Sequence, residues 1–368
     1  MPIDSSPEGG VSVLILKTIY EQEKKNIKHR NIFLFPIGTV DLSSSASLET
    51  PVTPDFHFNT WCMHQIINGR ENYDREIKSF KISHFANAAT SVSKRTNLLS
   101  FYGLDSPTAS ELNTVRQMRT FLPSEHSCEA FKKAGEKVEH FKLAFDSFRF
   151  KPNEEERRHE RIVFSLSGEF QEKRHHAKTI RAWIKKYGDN PKYSLQCCIY
   201  NPLFSEEQNI KIFNSILQNK QKPFNVDFYY LSNHNHELNE FLNNSDIVIG
   251  VSGCEPFSFL EFNSVAIGKH AILLRAHSYK DWATDEMVTW VEPTGKSPTY
   301  DNVFFRKGEP FDQGYIYEFD EEAFLTACDS AISKTENRRT NACGLSLQKS
   351  FSKELLVDRI TNILAESL

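Results

Sequence analysis

The residues best suited to bind a ligand or take part in a reaction lie between two apolar segments. The first, 246–251, is predicted to be a buried strand, and the second, 259–267, has the pattern of an apolar helix. The turn between them holds Glu255, Pro256, Phe257 and Ser258. The first N–H groups of a helix lack partners and carry partial positive charge, so the start of this helix favours an anion. A carboxylate such as Glu255 accepts hydrogen bonds from hydroxyl groups. The pattern is typical of a site for an anionic ligand with hydroxyls, and an ordinary strand-turn-helix with a solvated glutamate is the alternative.

Residues 245–270 resemble the donor-binding segment of retaining glycosyltransferases of the large family four (glycosyl transferases group 1), which have the GT-B fold. In that family the segment has a glutamate, an aromatic–glycine pair, a second glutamate on a helix and a glycine. The register that keeps Phe257 and Gly268 in place puts Glu255 on the first glutamate and Asn263 on the second. Ser258 replaces the usual glycine.

The resemblance implies that Glu255 orients hydroxyls of the donor sugar and that Asn263 reaches the ribose of the donor nucleotide. An asparagine accepts with one oxygen and donates with its amide, whereas a glutamate accepts as an anion. The departure at Asn263 therefore leaves two alternatives, a different donor nucleotide or a two-residue shift that brings Glu261 to the ribose.

A second part of the resemblance is the stretch 165–178, which is similar to the first strand and loop of the family's C-terminal domain. There, basic residues hold the donor diphosphate. Lys173 and Arg174 match the second basic position, and we expect both to be exposed and unpaired without ligand. Glu169 stands where the first basic residue is usual. An exposed helix start is the alternative for this basic cluster.

The N-terminal part of the resemblance rests on Gly9 and Gly10, which are similar to the family's glycine loop, and on His64, at the end of a predicted strand 56–64. An ordinary turn and a surface or core histidine are the alternatives. The implied catalytic residues are Glu255, Lys173, Arg174 and His64. The implied donor-binding residues are Gly9, Gly10, Ser167, Gly168, Lys173, Arg174, Asn201, Glu255, Pro256, Phe257, Ser258, Phe259 and Asn263.

The function implied is transfer of a sugar from a nucleotide-diphosphate sugar to a hydroxyl acceptor with retention of configuration, without metal or cofactor. The acceptor is a saccharide, a lipid-linked molecule or a modified DNA base of the kind that phage enzymes use. A binding protein that has lost transfer is the alternative from another class. The histidine pairs have no cysteine or carboxylate partners at ligand spacing, so we expect no metal site.

Composition sets the broad class of the protein. The 368 residues are 39% hydrophobic and 25% charged, with a formal net charge of −4, which is typical of a soluble globular protein and counts against nucleic-acid binding. No apolar run approaches the ~18 residues needed to cross a bilayer. Seven cysteines without a C-x-x-C pair predict free thiols in a reducing cytoplasm. Peripheral contact with the inner face of a membrane is left open, as is the oligomeric state.

The order of predicted elements indicates an α/β protein with two Rossmann-like domains facing across a cleft. The second half alternates strands 162–166, 193–200, 226–231, 246–251 and 271–275 with helices 176–187, 206–219, 235–243 and 259–267, which predicts a parallel sheet. In the first half we expect strands 31–37, 56–64 and 86–93, a loop 41–55, a helix 94–102, and mostly helical structure over 106–148.

Domain boundaries follow from composition. The charged stretch 151–161 is typical of a linker. We therefore expect an N-terminal acceptor-side domain over 1–150, with a short or missing first strand, and a nucleotide-sugar-binding domain over 151–345. A last helix pattern at 347–368 has an apolar face and no following strand. The segment 346–368 is predicted to cross back and pack on the N-terminal domain.

Overall fold

A computed structural model describes residues 7–25, 27, 34–35, 54–153, 161–201, 204–218, 220–229 and 235–366. The chain forms two compact units: the first contains Met1–Tyr102, Pro107–Asp146 and Phe351–Leu368, and the second contains Gly103–Ser106 and Ser147–Ser350. Each unit has a parallel sheet with helices, which confirms the predicted α/β class. No helix among the described residues has the length and hydropathy to span a membrane.

The first unit has a four-stranded parallel sheet in the order β1-β2-β3-β4. Its elements are α1 (Pro7–Lys24), α2 (Pro54–Glu71), β1 (Lys78–Ile82), β2 (Arg95–Leu99), α3 (Ala109–Gln117), β3 (Arg119–Leu122), α4 (Glu125–Lys133) and β4 (Glu139–His140). The helices α3 and α4 are fixed at their starts by side-chain caps, from Thr108 to the N–H of Glu111 and from Ser124 to that of Ser127.

The second unit has a six-stranded parallel sheet in the order β10-β9-β8-β5-β6-β7. Its elements begin with β5 (Ile162–Ser167), α5 (His176–Tyr187), β6 (Tyr193–Cys198), α6 (Glu206–Ile216), β7 (Val226–Phe228), α7 (Asn235–Asn243), β8 (Ile247–Gly250), α8 (Phe259–Ala266), β9 (His270–Leu274) and β10 (Thr289–Val291). The winding reverses at β5, because β6 pairs on one side of it and β8 on the other. The carboxyl ends of β5 and β8 therefore flank a topological switch point, where open α/β sheets bind ligands.

The rest of the second unit departs from the alternating pattern. It contains an antiparallel pair, β11 (Pro293–Pro298) with β12 (Tyr315–Phe319), which the sequence pattern did not predict. Three helices follow: α9 (Glu321–Asn337), α10 (Ala342–Leu345) and α11 (Leu347–Ser350). The final helix, α12 (Lys353–Ala365), belongs to the first unit and packs on α1 and β1.

The predicted continuous helix 347–368 is interrupted between α11 and α12. Ser352 has extended backbone and its hydroxyl accepts a hydrogen bond from the N–H of Leu355, which starts α12 as a new helix. The buried face of α12 is formed by Leu356, Val357, Ile360 and Ile363.

Several predictions for the first half are wrong. Residues 56–64 belong to helix α2, where Phe58, Cys62 and Ile66 are buried at helical spacing, so His64 does not end a strand. Gly9 and Gly10 lie in the first turn of α1 and form no loop.

Other first-half predictions also fail. The strand is Arg95–Leu99 and not 86–93, and no helix occupies 94–102. Residues 106–148 contain two strands as well as two helices. The predicted strand 31–37, loop 41–55 and linker 151–161 fall mostly outside the described residues.

Candidate functional site

Three loops of the second unit meet beside the switch point. They follow β5, β8 and β9 and comprise residues 168–175, 251–258 and 275–281. A hydrogen bond from Gly253 N to Lys173 O (2.7 Å) joins the first loop to the second. His277 Nε2 donates to Ser252 O (2.8 Å) and joins the second loop to the third. The loops therefore form one connected surface at the carboxyl ends of the strands.

The centre of this surface is an ion pair between Arg174 and Glu255. Arg174 Nη1 lies 2.9 Å from Glu255 Oε1, and the side chains are 21% and 7% exposed. Ser252 Oγ donates to the same carboxylate oxygen over 3.0 Å. Burial alone would raise the pKa of Glu255, but Arg174, Lys173, His277 and this hydrogen bond together lower it. Glu255 is therefore an anion at neutral pH, and the expectation that Arg174 is unpaired without ligand is wrong.

Gly168 makes room for the guanidinium. It follows the last residue of β5, Ser167, and has φ +116°, in the region that favours glycine. A Cβ atom at this position would lie 2.8 Å from Arg174 Nη1. The site thus requires glycine here for its backbone conformation and for the close approach of Arg174.

Positive charge at the site exceeds what Glu255 neutralises. Arg174 Nε is buried and has no hydrogen-bond partner among the described residues. Lys173 Nζ lies 5.3 Å from the centre of the Phe305 ring, and no carboxylate in the described part of the chain is at ion-pair distance from it. The two neighbouring cations therefore keep donor capacity for an anion.

Each of the three site loops contains a non-glycine residue with positive φ. His175, Ser258 and His277 have φ values of 55°, 68° and 35°, which non-glycine residues rarely adopt. His175 Nε2 donates to Tyr317 O over 2.8 Å, which holds one of them in place. The left-handed conformation at Ser258 fits the position where the resembling enzymes have a glycine.

Helix α8 carries the two candidates for the ribose contact, and their side chains make different contacts. Glu261 and Asn263 are both buried, on opposite sides of the helix. Asn263 Nδ2 donates to Phe259 O (2.7 Å) in the preceding turn. Glu261 Oε1 accepts from Tyr279 Oη (3.4 Å), and the carboxylate interacts electrostatically with Arg174 and Glu255. The residue that α8 brings to the Arg174–Glu255 pair is therefore Glu261.

The other predicted residues of this unit support the loops. Asn201 is buried and donates from Nδ2 to Phe170 O over 3.1 Å, which anchors the loop after β5. Phe257 is buried, with its ring centre 5.0 Å from that of Phe259. Pro256 packs against Gly103, where a Cβ would lie 3.2 Å from the proline Cδ. Gly9, Gly10 and His64 belong to the first unit.

The sequence interpretation missed Ser252, His277 and Tyr279, and it considered Glu261 only as an alternative. Ser252 and His277 share a signal of position, because they lie two and three residues after the ends of β8 and β9, two strands that the sequence predicts. Among the described residues, no group of three or more histidine, cysteine or acidic side chains is arranged to hold a metal ion.

Comparison with solved structures identifies the fold. Anabaena HepE, solved with UDP and glucose, is similar with a TM-score of 0.63 and 13% identity, over 99% of this chain and 98% of HepE. A glycosyltransferase from Rickettsia africae has a TM-score of 0.62 and 12% identity, over 100% of this chain and 97% of its own.

Sucrose-phosphate synthase from Thermosynechococcus elongatus has a TM-score of 0.62 and 11% identity, over 87% of this chain and 81% of its own. The predicted GT-B fold is confirmed by these similarities. No protein-family model matches the sequence, and no curated protein matches it either.

Proposed function

We propose that this protein is a glycosyltransferase that uses a nucleotide-diphosphate sugar, with a UDP-sugar as the first candidate. The observation that carries the proposal is the half-buried guanidinium of Arg174, held against Gly168 and Glu255 at the switch point, with Nε left without a partner among the described residues. The similar proteins include HepE, solved with UDP and glucose, and a pneumococcal O-GlcNAc transferase, solved with UDP and GlcNAc.

Each charged residue has a distinct role in this proposal. Arg174 and Lys173 bind the diphosphate and stabilise the negative charge that develops on it as the bond to the sugar breaks. Glu255, anionic and fixed by Ser252, accepts hydrogen bonds from donor-sugar hydroxyls. Arg174 and Glu255 are already paired, so the diphosphate and the sugar meet two groups that hold each other in position.

The reaction proposed is transfer with retention of configuration. The acceptor hydroxyl attacks the anomeric carbon on the face from which the diphosphate departs, and the hydroxyl proton passes to the departing phosphate oxygen. No side chain acts as a covalent nucleophile, and the cations of the site take the role that a metal ion has elsewhere. A saccharide hydroxyl is the acceptor class we favour, and a cytoplasmic location suits a nucleotide-sugar donor.

Calorimetric titration with UDP, UDP-glucose, GDP-mannose and ADP-glucose tests donor binding, and measurement of UDP release then tests turnover. We expect a uridine diphosphate to bind and the matching UDP-sugar to be hydrolysed slowly without acceptor. Binding without hydrolysis or transfer to any saccharide would support the alternative, a binding protein that has lost catalysis. No binding of any nucleotide diphosphate would overturn the proposal.

A further inference from the structure

Two buried carboxylates lie within the electrostatic reach of Arg174 in the second unit, and Glu255 is the one at ion-pair distance from it. Taken as whole residues, Glu255 is 5% exposed and Glu261 is 4% exposed, and both interact electrostatically with Arg174. If both carboxylates are ionised, the three groups carry a net charge of −1 in a site of low dielectric. One added proton makes these three groups neutral, so the arrangement favours protonation of Glu261, the carboxylate that is not at ion-pair distance from Arg174.

The fold gives Glu261 a specific place. A Cβ atom on Gly250, the last residue of β8, would lie 2.6 Å from Glu261 Cγ and 2.9 Å from Tyr279 Oη. Because Gly250 has no side chain, the Glu261 side chain can pack against the end of β8. Tyr279 Oη, itself buried, donates to Glu261 Oε1 over 3.4 Å.

Glu261 faces titratable groups from the site loops and uncharged groups from the strands beneath it. The titratable ones are Glu255, Arg174 and Tyr279. From the strands beneath α8, the uncharged Gly250 approaches it, and the apolar side chain of Leu273 borders Gly250. The helices α10 and α11 also pack on α8, where Gly344 contacts Val265 and Gln348 Nε2 donates to Ala266 O.

We propose that Glu261 takes up a proton from solvent when a nucleotide sugar binds beside Arg174, so that it is a positioning residue that sets the pH dependence of donor binding. The diphosphate brings negative charge and competes for Arg174, which weakens the field that favours an ionised Glu261. With the proton on Glu261, Arg174 is balanced by Glu255 on one side and by the diphosphate on the other. This inference rests on the proposed function.

The protonation of Glu261 in the free protein supports this linkage. Burial raises its pKa to about 7, Glu255 adds to the rise, and Arg174 and the Tyr279 hydroxyl oppose it. Donor binding raises the pKa further, so affinity is highest below pH 7 and falls as the pH rises through this range. A further rise of about one unit corresponds to roughly tenfold weaker binding between pH 6 and pH 9.

The test is calorimetric titration of UDP-glucose at pH 7.5 in two buffers of different ionisation enthalpy, which counts protons taken up per ligand. UDP-glucose is chosen because its diphosphate does not titrate near neutral pH. The variants are Glu261→Gln and, as a matched control, Glu169→Gln, since Glu169 also interacts with Arg174 but is exposed. We expect proton uptake in the wild type and in Glu169→Gln, and its loss in Glu261→Gln.

Equal proton uptake in the wild type and Glu261→Gln would overturn the role of Glu261, and so would binding to the wild type without proton uptake. Either result would leave the proposed function standing. Absence of UDP-glucose binding to the wild type would count against the proposed function instead. Carbon-13 NMR of glutamate carboxyl groups in the wild type keeps the inference testable if Glu261→Gln does not fold. One carboxyl should titrate near pH 7 and shift upward with UDP-glucose, and its absence would contradict the inference.

Discussion

Arg174 and Glu255 come from loops far apart in the sequence, yet Arg174 Nη1 and Glu255 Oε1 lie 2.9 Å apart at the switch point of the second sheet. Removing either partner leaves a charge in a site that is largely shielded from water, which is costly. The pair therefore serves both folding and function. Variants that separate these two contributions are the informative ones.

Lys173 allows the phosphate role to be tested without breaking the ion pair. We expect Lys173→Gln to weaken UDP-glucose binding severalfold and to leave the melting temperature unchanged, because Lys173 has no carboxylate at ion-pair distance in the described part of the chain. Lys185→Gln is the control, since Lys185 is an exposed lysine on helix α5, outside the site loops and 3.6 Å from Glu322. Equal effects of the two substitutions on affinity would contradict a specific phosphate contact.

Glu255→Gln tests whether the carboxylate lowers the activation free energy of sugar transfer. The amide keeps the shape of the side chain but loses the negative charge that stabilises positive charge on the sugar during transfer. We expect turnover to fall at least about tenfold more than donor affinity does. Comparison of kcat with the dissociation constant of UDP-glucose measures this, and parallel losses in both would indicate a binding role only.

Gly168→Ala and Gly135→Ala form a matched pair. Both glycines have positive φ, +116° and +85°, but only at Gly168 would a Cβ meet Arg174, whereas nothing lies within 4 Å of one at Gly135. We expect Gly135→Ala to lower the free energy of unfolding by about 1 kcal/mol through backbone strain alone. Gly168→Ala should cost more and also weaken UDP-glucose binding. Denaturant unfolding and calorimetry together check this, and equal costs with unchanged binding would show that Arg174 moves freely.

Asn263→Ala distinguishes the two sides of α8. The Asn263 amide donates to Phe259 O, so we expect a loss of about 1 kcal/mol in stability and a change in donor affinity within about twofold. Asn263→Asp is a useful companion because it keeps the shape of the side chain. A large rise in the Michaelis constant for the donor in Asn263→Ala, at unchanged stability, would contradict this expectation. It would support the contact between Asn263 and the ribose that the resemblance implies.

The sequence predicted the second unit better than the first for a physical reason. Strands of a parallel sheet are buried on both faces, so β8 is a continuous apolar run and β5 is mostly apolar. The amphipathic helix α5 was predicted at its observed bounds. In α2 the sequence pattern resembles a strand, because the apolar Phe56 lies two residues before Phe58. Phe56 is nevertheless 59% exposed, so it does not belong to the buried face. The buried set Phe58, Cys62 and Ile66 becomes recognisable only once the helix is packed.

The chemistry of the site could be predicted only in part. Lys173, Arg174 and Glu255 have recognisable local patterns, but no local signal shows that Arg174 and Glu255 pair with each other. Nor can a sequence show that Gly250 admits Glu261 to the site, because that contact depends on the packing of α8 over β8. The resemblance favoured Asn263 by register, whereas the residue of α8 that interacts with Arg174 is Glu261. The contact to the ribose itself stays a prediction.

A crystal structure with UDP bound would show directly whether Arg174 and Lys173 hold the diphosphate. We expect a diphosphate oxygen within about 3.2 Å of the Arg174 guanidinium and a second contact from Lys173, beside Gly168 at the end of β5. UDP bound elsewhere on the protein, with Arg174 still paired to Glu255 alone and no phosphate near Lys173, would contradict it.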